Sequence, residues 1–244
     1  MPSKEKITNR FAFVIPVYNH EQDVAEVVQN TLAYQVPIFV VNDGSTDGTR
    51  QSLGQLSGIS ILNHRSNQGK GAALISGFKE AQKVADWAIT IDADGQHDPR
   101  DAKKLMAAVE DGRRAIVIGK RIGMSNQHVP WTSRFGRGFS NFWVWISGGQ
   151  RISDSQSGFR LYPLPECLNL NVRSRRFQFE VEILVKAGWK KIPVKEVTVK
   201  SHYKPAKLRI SHFKPFIDFL RNSVTFTRLI IQRCTVPPFI RNRW

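Results

Sequence analysis

The stretch Trp87-Ala-Ile-Thr-Ile-Asp92-Ala-Asp94-Gly-Gln96-His-Asp98-Pro99 decides how this chain folds. Trp87, Ile89 and Ile91 alternate in a short apolar run of strand type, and the run stops at Asp92 with Gly95 close behind. Hard oxygen ligands therefore gather at a strand's C-terminal end. On an extended chain Asp92 and Asp94 point to one side and Gln96 adds a neutral oxygen, so the set can hold Mg²⁺ or Mn²⁺ through carboxylate, amide and water. Such a cation takes phosphates as its remaining ligands. The same residues also read as a solvated acidic turn before a helix opened by Asp98 and Pro99, and the surroundings decide between the two.

Upstream, three strand-turn-helix units precede this stretch. Phe11 to Pro16 is a buried-strand run, followed by a helix with Val24, Val27, Val28 and Leu32 on one face. Ile38 to Val41 is a second strand, and the turn Asn42 to Thr49 offers Ser45 as a cap for a helix closing near Leu56. Ile59 to Leu62 is a third strand, then come a polar loop from Asn63 to Gly71 and a helical stripe of Leu74, Ile75, Phe78 and Ala81. Strands alternating with helices predict an α/β fold with a mostly parallel sheet. Ligands of such sheets sit beyond the strands' carboxyl ends, where Tyr18, Asp43, Asn67 and Asp92 all fall.

These loops have a chemistry. Asp43 can accept N–H groups from the edge of a guanine or uracil ring beside Tyr18 and Pro16, although Asn-Asp-Gly is also a turn whose Asp bonds its own backbone. Asn67-Gln-Gly-Lys70-Gly lets backbone N–H groups and one ammonium approach a pyrophosphate at a helix start. It lacks the spacing of a Walker loop, and the first turn lacks the Rossmann dinucleotide fingerprint.

A chain of 244 residues with 41% hydrophobic content can bury a full core. The opening residues lack the apolar region of a secretory signal and no stretch has the length of a membrane span, which predicts a cytoplasmic protein. Cys167 and Cys234 lie far apart and outside ligand spacing. The net charge of +16 is uneven: the first 112 residues hold 11 Lys+Arg and 14 Asp+Glu, and the remainder holds 25 and 6. A basic half of this strength expects a polyanion.

Ile15-Pro-Val-Tyr-Asn19, Val41-Asn-Asp-Gly-Ser-Thr-Asp-Gly-Thr49, Asn67-x-Gly-Lys-Gly71 and Asp92-Ala-Asp-Gly-Gln-His-Asp-Pro99 resemble, in order and spacing, the inverting GT-A glycosyltransferases of family 2. Within that family the resemblance is closest to the dolichyl or polyprenyl phosphate sugar synthases, which share Asp-Ala-Asp-x-Gln-His and a later Ser-Gly-Phe, here in Asp154-Ser-Gln-Ser-Gly158-Phe-Arg160. The resemblance implies a catalytic domain over residues 1–210, its nucleotide-sugar half about 10–112 and its acceptor half about 113–210. It implies that Pro16, Val17, Tyr18, Asn19, Val41, Asp43, Asn67, Lys70, Asp92, Ala93 and Lys207 bind the donor. Asp92, Asp94 and Gln96 would hold the cation that stabilises a nucleoside diphosphate leaving group.

A hydroxyl acceptor needs a carboxylate base, and the Glu-Asp pair that hydroxyl-using relatives carry is absent, whereas a phosphate is already an anionic nucleophile. Arg121, Arg134 and Arg137 are the candidates to hold a lipid phosphate. Asp154 is either a residual general base, serving a hydroxyl of a lipid-linked glycan, or a structural or acceptor-positioning carboxylate. From 211 to 244 a basic amphipathic segment is expected. A helix from His212 to Gln232 puts Phe213, Phe216, Ile217, Leu220, Val224 and Ile231 on one face, and Lys214, Asp218, Arg221, Thr225, Arg228 and Gln232 on the other. Phe219, Phe226 and Ile230 widen the apolar side. That pattern fits an anionic membrane surface, or packing on the domain or another subunit. No nucleic-acid motif is present, and the reading from another class is a non-catalytic polyanion-binding module. The sequence does not fix the oligomeric state.

Overall fold

Among the described residues, apolar runs bounded by turn residues become seven strands in one sheet of order β3-β2-β1-β4-β6-β5-β7. The computed structural model describes residues 9–122, 131–201 and 215–241. The strands are β1 Phe11–Val17, β2 Ile38–Asn42, β3 Ser60–Asn63, β4 Trp87–Thr90, β5 Ile116–Ile122, β6 Arg160–Pro163 and β7 Val194–Lys200. Pairs β1–β2, β2–β3, β1–β4 and β5–β7 are parallel. Only β6 runs against its neighbours β4 and β5, with Thr90 opposite Arg160. An antiparallel strand starts where its neighbour ends, so the segment leading into β6 lies against the carboxyl end of β4.

The helices are α1 Val24–Leu32, α2 Thr49–Gly54, α3 Lys70–Ala81, α4 Ala102–Ala107, α5 Trp131–Ile146, α6 Phe179–Trp189, α7 Pro215–Thr235 and the short α8 Pro238–Arg241. They cover both faces of the sheet, which is why the central strands read as continuous apolar runs: all four residues of β4 are buried. Period-two alternation in β1 sends Val14 into one core with Leu74, Phe78, Val144 and Phe179. Phe13 and Ile15 go into the other, with Val24, Val28, Leu53 and Leu105. Two local expectations change. Ser45 caps no helix; its hydroxyl accepts the Asn19 N–H at 3.0 Å, and α2 starts instead after Asp47, whose carboxylate accepts the Thr49 N–H at 3.0 Å. The extended chain of β4 ends at Thr90, so Asp94 stands in a turn through Gly95 (φ 69°) rather than on a strand.

The largest departure concerns α7. Much of its polar side, with Phe226 and Leu229, meets the domain, and most of the expected apolar face turns outward. Asp218 is 1% exposed, Asn222 and Thr225 are buried, and Arg228 donates to the buried Glu182 of α6 at 2.6 Å. Phe226 and Leu229 join the core, while Phe216 (74% exposed), Leu220, Val224 (70%) and Ile231 face outward. Phe213 and Lys214 lie outside the described residues. Among the described residues, no helix is long and apolar enough to cross a membrane.

Candidate active site

At the carboxyl ends of β1, β2 and β4 the loops interlock. Asn19 (φ 52°) accepts the Thr46 N–H at 2.8 Å and donates to the Thr46 hydroxyl, which ties the β1 loop to the β2 loop. Asp43 is buried. Its Oδ1 meets His64 Nδ1 at 2.7 Å and accepts the Gln68 N–H, and its Oδ2 accepts the Gly69 N–H at 2.7 Å. His64 Nε2 reaches the Ser76 hydroxyl at 2.9 Å, completing a half-buried chain from β2 to α3. Asp43 thus shapes the 67–71 loop and does not bond its own turn, where Asn42 Oδ1 accepts the Ser45 N–H instead. Pro16, Val17 and Val41 are buried in their strands, Val41 facing Gly77 of α3, so a nucleotide would meet these positions through main chain. Tyr18 is half-buried at the end of β1, and the Asn67 side-chain oxygen is buried with no partner among the described residues. An orphaned acceptor in a donor loop suits a hydroxyl or N–H from a ligand.

Lys70 begins α3, and its ammonium stands between two carboxylates, 2.6 Å from Asp92 and 2.5 Å from Glu180 of α6. Burial works against both charges. The two carboxylates outweigh it at Lys70, whose pKa is raised, and Lys70 outweighs it at Asp92, whose pKa is lowered. Lys70 and Asp92 are therefore both ionised at neutral pH. Gly158, two residues before β6, closes the cluster: a Cβ there would lie 2.3 Å from Asp92 Oδ2 and 2.6 Å from Lys70 Nζ, so any larger residue would push these two groups aside. Thr90 fixes that approach by donating its hydroxyl to the Gly158 carbonyl at 2.8 Å. Ala93 is buried, and Asp94 Oδ1 accepts the Gln96 N–H at 3.0 Å. His97 packs on Phe159, and burial above all pushes its pKa down to about 4, so the ring is neutral.

The residues expected from the sequence to hold a cation, Asp92, Asp94 and Gln96, are hard oxygens close together at the end of β4. Among the described residues no three acidic, His or Cys side chains come together as a metal group. Two carboxylates and an amide suit Mg²⁺ or Mn²⁺ completed by substrate phosphates and water, not a cation caged by protein alone.

Asp154, expected from the sequence on the acceptor side, is fully buried. It receives the Arg121 guanidinium in a two-pronged pair at 2.8 and 2.7 Å, and the Arg121 N–H at 3.1 Å. Burial raises its pKa, and those bonds more than reverse the effect, leaving it below the ordinary carboxylate range with help from Arg137. A carboxylate so held is a poor general base and a good holder of Arg121. Asn141 and Ser140 of α5 bind the 153–156 segment at 2.8 to 2.9 Å, and Glu196 of β7 accepts the Ser153 and Asp154 N–H groups. Buried Arg160 donates to the Ser155 and Ser157 carbonyls and to the Glu180 carbonyl, locking this segment to α6. The Arg134 side chain and Lys207 lie outside the described residues.

Glu180, His64 and Arg160 were not among the residues singled out from sequence. A signal existed for the first. Phe179-Glu-Val-Glu-Ile-Leu-Val is a buried helix interrupted by two acids, and buried acids need cations.

The model for the family described as Glycosyl transferase family 2 matches residues 12–163. The UDP-N-acetylglucosamine–dolichyl-phosphate N-acetylglucosaminyltransferase of Methanococcus voltae is 31% identical over 212 residues, covering 78% of this chain and 84% of that protein. The polyprenol monophosphomannose synthase of Mycolicibacterium smegmatis is 29% identical over 210 residues, covering 76% and 75%. Among solved structures, the glucosyl-3-phosphoglycerate synthase of Mycobacterium tuberculosis with Mn²⁺, uridine diphosphate and glucosyl-3-phosphoglycerate superposes with a TM-score of 0.70 at 18% identity. It covers 95% of this chain and 82% of that one, and the likeness is one of GT-A fold.

Proposed function

The chain belongs to glycosyl transferase family 2, and on that premise we propose that it moves a hexose from a nucleotide sugar, GDP-mannose or a UDP-sugar, to a polyprenyl or dolichyl phosphate at a membrane surface. The observation that carries this reading is the placement of α5. One side of that helix binds the Asp154 segment and carries Arg137 near it, and the other exposes Phe135, Phe142 and Trp145. Phe139 and Phe219 touch at 4.7 Å between ring centroids and join the two helices into one apolar surface. An acceptor with an apolar chain and a phosphate head fits that arrangement, its chain along the surface and its head at Arg121 and Arg137. Arg151, over the Trp145 ring at 4.4 Å, and the exposed Arg221 and Arg233 border the surface with positive charge suited to anionic headgroups. Attachment would be peripheral.

In the reaction a phosphate oxygen attacks the anomeric carbon, the bond from that carbon to the nucleoside diphosphate breaks, and no proton need move. In-line attack from the Arg121 side inverts the centre. Asp92, Asp94 and Gln96 would hold Mg²⁺ or Mn²⁺, which when bound neutralises charge developing on the leaving diphosphate. Lys70 faces the same diphosphate, and Arg121, fixed by Asp154, orients the nucleophile. The relatives' dolichyl-phosphate and polyprenol activities support the acceptor class. The decisive assay is transfer of radiolabelled sugar from a panel of GDP- and UDP-sugars to polyprenyl phosphate, with and without Mn²⁺. Lipid-phosphate product is expected; product only from hydroxyl acceptors would overturn the acceptor, and no transfer with any donor would favour a binding module.

A further inference from the structure

Glu180 does nothing in the reaction as described, yet it is buried and makes the shortest contact in the site, 2.5 Å to Lys70. Asp92 is asked to do two incompatible things. It neutralises a buried ammonium at 2.6 Å, and it must offer its oxygens to a divalent cation. Were Asp92 the sole partner of Lys70, taking up the cation would strip a buried lysine of its counter-charge, which is costly. Glu180 removes that conflict. Its carboxylate stays on Lys70 when Asp92 turns away, so the ammonium keeps one full partner in both states.

The surroundings hold Glu180 at this task. Its own carbonyl accepts Arg160, α6 begins one residue earlier, and the Ala72 N–H donates to the Arg175 carbonyl at 2.9 Å, tying the start of α3 to the loop before α6. Gly71 permits that approach, since a Cβ there would lie 2.6 Å from the Ser174 carbonyl. Lys70 and Glu180 are thus held by joined segments, while Asp92 hangs from the end of β4 with its side chain partly open to solvent.

We propose that Glu180 is a positioning residue that holds Lys70 so that Asp92 can exchange its lysine partner for the divalent cation when donor binds. The inference rests on the metal reading of Asp92 and Asp94. It also sets Lys70 in place for the diphosphate, since the ammonium released by Asp92 keeps its position against Glu180 and faces the incoming anion.

Binding of Mn²⁺ alone, followed by loss of the free-ion electron paramagnetic resonance signal, tests this without turnover. Glu180→Gln should weaken Mn²⁺ binding about tenfold, because Lys70 then clings to Asp92 alone. Lys70→Gln should bind at least as tightly as the parent. In the Lys70→Gln background, adding Glu180→Gln should change the affinity by less than about twofold, since no ammonium remains to be held. A tenfold loss that persists there would make Glu180 a ligand or a structural support and overturn the exchange. So would an unchanged Glu180→Gln single variant. Glu180→Asp, which keeps the charge but shortens the reach, should fall between Glu180→Gln and the parent and show the same dependence on Lys70, and it carries the test if the amide does not fold. A parent protein that takes up no Mn²⁺, with or without GDP or UDP, would overturn the metal reading beneath, and the exchange with it.

Discussion

Asp154 is where the chemistry of the acceptor divides. A general base must lose and gain a proton during turnover, and this carboxylate is committed to Arg121 by two side-chain bonds and one backbone bond. Its folded pKa lies below the unfolded one, so the stability it contributes is complete above the ordinary carboxylate range and is lost as pH falls from there through the lower folded value. No limb of a pH–rate profile near neutrality belongs to it. The second ionisation of a phosphate monoester does fall there, at about 6. The kcat/KM for lipid phosphate should therefore decline below that pH in the parent and equally in Asp154→Asn, while the variant's acceptor KM rises about tenfold because Arg121 has lost its fork. A limb that vanishes in Asp154→Asn would make the residue a base after all. On the donor side, Asp94→Ala should lower Mn²⁺-supported transfer by about 10²–10³-fold, the range for losing one preorganised group that stabilises transition-state charge, with the melting temperature little changed. Retained transfer would remove Asp94 from the cation.

At the scale of the element, α7 shows what a sequence pattern can and cannot say. Periodicity made it amphipathic and the structure agrees, yet periodicity is silent about which face turns inward. The partners decide: buried Glu182 needs cations, Lys186 and Arg228 supply them, and α7 is drawn down by its polar side. Arg228→Ala leaves Glu182 with Lys186 and Ser174, so a loss of about 1–2 kcal/mol is expected in denaturant unfolding, below that for a fully stripped buried pair because Arg228 is partly exposed. The same limit explains the rest of the site. Strands β1 to β4 and their loops were legible because apolar runs and Gly-rich turns are local signals, and these put Asp43, Lys70 and Asp92 at one edge. The antiparallel β6, with Gly158 against Asp92 and Glu180 against Lys70, was not legible, since pairing across more than 60 residues leaves no local trace. Helix α7 also makes a prediction of its own. Phe216→Ser and Val224→Glu lie on the exposed face, so both should keep the parent's melting temperature. Each should lower partitioning onto anionic vesicles by roughly tenfold, the scale of one buried apolar side chain. Unchanged partitioning would assign that face to another partner.

Taken whole, the molecule is electrically lopsided. The first 112 residues are mildly acidic, and the other 132 carry a net charge of +19, on the half that bears α5, α7 and the arginines proposed for the acceptor. A surface lipid phosphate is met in a leaflet, and an anionic leaflet attracts such a half with about 1 kcal/mol for each Lys or Arg brought to it. That attraction is screened as the Debye length shrinks from about 10 Å at 0.1 M salt to about 3 Å at 1 M, whereas the apolar contact of Phe216, Leu220 and Val224 is not. The two contributions should separate in one titration. Co-sedimentation with phosphatidylglycerol vesicles should fall steeply as NaCl rises, and Phe216→Ser should be released at lower salt than the parent because it has less left once the charges are screened. Neutral phosphatidylcholine vesicles should retain little protein at any salt. Transfer to a short-chain, water-soluble polyprenyl phosphate should be indifferent to vesicles and to Phe216→Ser, since that acceptor needs Arg121 and Arg137 but no membrane. A parent protein that stays in solution with anionic vesicles at low salt, while transferring sugar at full rate to the soluble acceptor, would mean that the outward face of α7 is covered by something other than lipid.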